Sequence, residues 1–194
     1  MAHTDPPDVG TPPEVLAAVA AIIGGAFEML GHQKAEKRGQ RDGLGWRRVP
    51  LRPSVPGERR TPATTAGGVH LAQALHLAAQ HQRADQQTTR YAYAAVAMAL
   101  APHLGIAPHE LLNDGQADEY LNPHTNDERL HQLDRIVLDR YNTDHAAGAA
   151  DVRDLLNIAQ TLVPAVVRAQ LIAPELRALD AAGQGIDTNG GQVA

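Results

Sequence analysis

Residues Thr125–Tyr141, TNDERLHQLDRIVLDRY, decide the fold class. Thr125 and Glu128 have the Ser/Thr-x-x-Glu spacing of a capping box, in which each side chain satisfies a backbone donor left open at a helix start. Leu130, Leu133, Val137 and Tyr141 then recur at three and four residues, with Arg129, Asp134, Arg135, Asp139 and Arg140 between them. That is one apolar stripe on an otherwise charged helix, and it needs other helices to bury against.

The flanking sequence supplies them. After a break at Gly148, Val152, Leu155, Leu156, Ala159, Leu162, Val163 and Val166 mark a long helix from about Ala149. Pro164 is expected to kink it and Pro174 to end or re-aim it, leaving a short helix over 174–182. Upstream, Val69–Ala101 reads as helical with its break at Gln86–Thr89; Leu71, Leu75 and Ala78 form one stripe, and Tyr93, Ala97, Leu100 and Leu104 another. Pro108–Gln116 reads as a helix of two turns. Pro12, Pro13 and Glu14 make a helix start for a run to Gly31, fraying through Lys37. No strand-length alternation and no repeat competes. The expectation is therefore an all-α protein, an irregular helical bundle of about five or six helices with flexible termini. Its parts are a tail at 1–13, an apolar helix at 14–37, a long extended basic arm at 38–68, a helical body at 69–182 and a second tail at 183–194.

Composition qualifies the core. Of 194 residues 43% are hydrophobic, but only Trp46, Phe27 and four tyrosines are aromatic, and Ala dominates. Alanine favours helix and close helix approach while burying little area per residue, so extra burial in an oligomer is expected. In the first helix Ala17, Ala21 and Gly25 recur every four residues, a small-residue stripe on which another helix can pack closely. Alanine-rich helices also produce such stripes by accident. The apolar run Val15–Phe27 is shorter than the ~20 residues of a bilayer span, which favours a buried or interface helix over a membrane segment. No cysteine is present, and the first fourteen residues hold three acids and no Lys or Arg, unlike a secretory start. The expected location is cytoplasmic, or a virion. Fifteen Arg to two Lys, with abundant Ala, Gly and Pro, fits a GC-rich bacterium or its phage.

Charge is segregated. His32–Arg60 holds nine of the seventeen Lys and Arg against three acids, net +6, and the rest holds eight against nineteen, net −11. In this arm Arg38, Arg41, Arg47, Arg48, Arg52, Arg59 and Arg60 could track a nucleic-acid backbone while Trp46 stacks on a base or anchors in a pocket. Alternatively they could grip an acidic surface carrying Glu110, Asp118, Glu119, Asp134 and Asp139, on the same chain or a neighbour, since the planar guanidinium pairs carboxylates bidentately. A solvated linker is the plain alternative. Ala97–Gln116 has the apolar spacing of a helix-turn-helix, but Ala107–Glu128 contains six acids and no Lys or Arg, which phosphates would repel.

Catalytic and metal signatures do not emerge. Asp127 and His131 are an i, i+4 pair, and His70 and His81 share a helix face, but no third or fourth ligand is placed by a motif such as His-Glu-x-x-His. The only serine, Ser54, stands between Pro53 and Pro56, and the glycine pairs at 43–45 and 67–68 lack the Lys-Ser/Thr of a phosphate loop. No catalytic, cofactor or metal residue is assigned. The expectation is a non-enzymatic structural or assembly protein, a homo-oligomer or part of a larger assembly; the alternatives are a nucleic-acid-associated protein using the arm, or a small helical enzyme with an acidic site.

Overall fold

The computed structural model describes residues 11–31, 46–47, 68–69, 71–141 and 149–184. These are mostly helical: α1 (Pro13–Gly31), α2 (Leu71–His81), α3 (Gln86–Leu104), a 3-10 turn (Pro108–Leu111), α4 (Asp114–Leu121), α5 (Asp127–Arg140) and α6 (Ala149–Gln184). A two-residue antiparallel ladder, β1 (Trp46–Arg47) with β2 (Gly68–Val69), pairs Trp46 with Val69 and Arg47 with Gly68 just before α2.

The central helix is α3. Tyr91 to Ala97 are all buried, so this stretch is covered on every side, by α1, α2, α5 and α6. Five of its seven side chains are Ala or Val, which lets four neighbours approach one axis. The Tyr93 hydroxyl donates to the Ala72 carbonyl at 2.6 Å, joining α3 to α2 and satisfying a buried polar group. At Gly25 of α1 a Cβ would stand 3.1 Å from the Ala78 Cβ, so α1 and α2 meet where side chains are smallest.

Several boundaries differ from the sequence expectation, each for a local reason. The break before α3 falls at residues 82–85, because the Asp85 carboxylate caps α3 by accepting from the Thr88 amide at 2.6 Å. Pro108–Gln116 is not one helix: the 3-10 turn ends at Leu111, and α4 starts anew where the Asn113 amide donates to Gln116 Oε1 at 3.2 Å. At α5 the cap is Asn126, whose Oδ1 accepts from the Arg129 amide at 2.8 Å. Thr125 instead donates its hydroxyl back to the Glu119 carbonyl at 2.5 Å. Pro174 does not end α6, which runs unbroken to Gln184 through both prolines. Pro164 and Pro174 occupy exposed positions, where solvent can reach a carbonyl that lacks its helical donor. The helix-turn-helix spacing over 97–116, set aside on charge, is not followed by a second long helix: α3 continues through Pro102 to a left-handed Gly105 (φ 69°), and a four-residue turn comes next.

Candidate interaction surfaces

The basic arm falls almost wholly outside the described residues. Arg38, Arg41, Arg48, Arg52, Arg59 and Arg60 lie there, and Trp46 and Arg47 are placed only through their backbone ladder. Of the α1 stripe, Ala17 is exposed, Ala21 is half-buried and Gly25 is engaged by the chain's own Ala78.

The acidic residues divide in two. Glu110, Asp118 and Asp139 are exposed, and the Glu110 carboxylate also accepts from the Ala107 amide at 2.7 Å. Glu119 forms an ion pair with Arg129, whose Nε donates to Glu119 Oε2 at 2.6 Å. Asp134 does not belong to this surface: it is buried, 5% exposed. The 3-10 turn and α4 pack over that side of α5, and Tyr120 of α4 donates its hydroxyl to Asp134 Oδ1 at 3.4 Å. Burial pushes the Asp134 carboxyl up to about 7, and the Tyr120 hydrogen bond offsets only part of this. The Tyr120 hydroxyl is itself raised, first by burial and then by the Asp134 charge.

The metal-like pair also separates. Asp127 Oδ1 accepts from Arg177 Nη2 at 2.5 Å, while Arg177 Nη1 reaches the Thr125 carbonyl at 3.3 Å, pinning distal α6 to the start of α5. His131 turns to α3, where its ring meets the Tyr93 ring edge-on at 4.8 Å between centroids. It is not an exposed histidine: burial, then the Arg135 and Arg90 charges, lower it to about 4, so the neutral ring is held at neutral pH. Burial raises the Tyr93 hydroxyl to about 12. Among the described residues no three His, Asp or Glu converge to hold a metal ion.

The feature that sequence reading missed is the outer side of distal α6. Val152, Leu155, Leu156, Ala159, Val163 and Val167 face the core. On the opposite side Leu176 is 54% exposed and Leu179 68%. The signal was present as the spacing of Ala165, Ala169, Ile172, Leu176 and Leu179, at four, three, four and three residues. The expectation that Pro174 ends or re-aims the helix obscures it, because it splits the stripe between two elements. Both α1, over Pro13–Leu30, and α6, over Val152–Leu179, are long and apolar enough to cross a membrane by length and composition alone.

Comparisons with protein-family models, with curated proteins and with solved structures give no match.

Proposed function

We propose that this chain is a non-enzymatic assembly protein that self-associates through apolar helix faces, with the basic arm as a second, electrostatic contact. The observation that carries this reading is the outward apolar side of α6, where large leucines stand in water on a helix whose other side is already packed. Exposed large apolar side chains arrayed along one element are the mark of an interaction surface. Glu110, Asp114 and Asp118 offer the arm exposed carboxylates. Its composition suits a phage or mobile element of a GC-rich bacterium, and the proposed location is the cytoplasm or a virion.

Light scattering across protein concentration, at low and high salt, tests it: an assembly larger than 20.7 kDa is expected, and a single-chain mass at high micromolar concentration overturns it. The segregation of +6 on residues 32–60 from −11 elsewhere favours a second reading, sequence-independent nucleic-acid binding by the arm. Salt-sensitive binding of duplex or single-stranded nucleic acid by an intact oligomer would select it.

A further inference from the structure

The distal half of α6 is patterned as a helix-pairing seam. Alternating steps of four and three residues keep one stripe facing a partner helix along a shared axis, and Ala165, Ala169, Ile172, Leu176 and Leu179 follow that pattern. Ala165, Ala169, Leu176 and Leu179 are exposed and Ile172 is half-buried. The seam cannot turn inward, because Val163 and Val167 hold the other side of the helix in the core and Arg177 holds it to Asp127. Pro164 and Pro174 both lie off the stripe, so neither ring separates two helices meeting along it.

We propose that this seam pairs with the same seam of a second copy, antiparallel, so that Leu176 seats over Ala165 of the second copy and Ile172 over its Ala169. Size argues for this direction. The residues grow from Ala165 and Ala169 to Leu176 and Leu179, so a parallel pair sets alanine on alanine at one end and leucine on leucine at the other, splaying the helices. Reversing one copy puts large against small across the four central layers, Leu176 and Ile172 on the second copy's Ala165 and Ala169 and the reverse, and closes each end with Leu179 against the second copy's Leu162.

Charge supports the same register. Arg168 and Glu175 flank the stripe on one side, seven residues apart, and in the antiparallel pair each faces the other across the seam. The register set by size is centred between residues 170 and 171, and that set by charge between 171 and 172. Two independent features thus agree to within one residue, which points to a second copy of this chain rather than an unrelated apolar partner. The interface is isologous, closing as a two-fold dimer.

This inference rests on the self-association proposed above and names its surface. The chain contains no cysteine, so single-cysteine variants have no background. Ala165→Cys and Leu176→Cys proteins, mixed and treated with a short thiol–thiol crosslinker, should give a mixed 165–176 dimer in preference to 176–176 dimers. The double variant Leu176→Glu, Leu179→Glu, changed only at exposed positions, should keep its melting temperature and weaken association roughly 100-fold, since each charge would be buried without a partner. A wild type that is a single chain at all concentrations defeats both the seam and the self-association reading. An oligomer that survives the double variant and gives no mixed crosslink leaves self-association standing and overturns the seam, while dominant 176–176 crosslinking overturns the antiparallel direction.

Discussion

The Tyr120 hydroxyl lies 3.4 Å from Asp134 Oδ1 in a site where the carboxyl is 5% exposed, and this hydrogen bond links the second half of α4 to the buried side of α5. Burial dominates there and raises the carboxyl from 3.8 to about 7, with the Tyr120 hydrogen bond acting in the other direction.

A raised folded-state pKa fixes the sign of a pH effect. The unfolded chain loses the proton first, so the stabilisation from Asp134 is complete below pH 3.8, declines as pH rises, and is gone above about 7. The whole span corresponds to roughly 4 kcal/mol. Denaturant unfolding at pH 5 and pH 8 should show wild type losing more stability than Asp134→Asn, and equal losses would refute the assignment. Replacing Asp134 by Arg should unfold α4 and α5 rather than probe a surface contact, because it buries an uncompensated cation.

His131 acts in the opposite direction. Its folded value of about 4 lies below the ordinary 6.5, so lowering the pH through that interval favours the unfolded chain, which takes up the proton more readily. Between pH 4 and 6.5 the two residues therefore offset one another, and above 6.5 only Asp134 remains. His131→Phe keeps an aromatic ring on Tyr93 and should be most helpful to stability at pH 5, with a smaller effect at pH 8. Proton NMR titration of the His131 ring gives a direct check: an ordinary value near 6.5 would contradict its burial.

Two positions on α1 should respond differently to the same change. Gly25→Leu drives a side chain into Ala78 across the α1–α2 contact and should destabilise the protein by about 1–3 kcal/mol. Ala17 is exposed, and Ala17→Leu should leave the melting temperature within a degree or two while altering the oligomeric mass if α1 also contributes to association. No change in mass with Ala17→Leu would remove α1 from the association surface.

The arm is tested by replacing Arg38, Arg41, Arg47, Arg48, Arg52, Arg59 and Arg60 with Gln. If the arm grips acidic surface on a neighbour, the assembly should weaken, and charge reversal at exposed Asp114 and Asp118 should weaken it as well. If it binds phosphate, the wild type should bind nucleic acid with a log–log salt slope of about −0.9 (duplex) or −0.7 (single strand) per phosphate neutralised, and the variant should lose that binding while keeping its mass. Sedimentation and fluorescence anisotropy on the same samples distinguish the outcomes.

The sequence by itself determined that the chain is helical and where most helices lie, because those signals are local. Pro13 and Glu14 open α1, Gly105 closes α3, and the three-and-four spacing of Leu133, Val137 and Tyr141 marks the buried stripe of α5. What it left undecided depends on elements distant along the chain. Asp134 stands beside the α5 stripe and reads as a surface acid until α4 folds back over it and brings Tyr120, fourteen residues upstream, to its carboxyl. Asp127 and His131 share a helix spacing yet part, one to Arg177 of α6 and the other to Tyr93 of α3. Gly25 belongs to a stripe that could face any helix, and only the placement of α2 assigns it to Ala78. The side of a helix that meets water is set by what packs against the other side: the spacing placed Val163 on the packed side of α6, and the tertiary structure added that Val167 joins it while Leu176 and Leu179 are left outside.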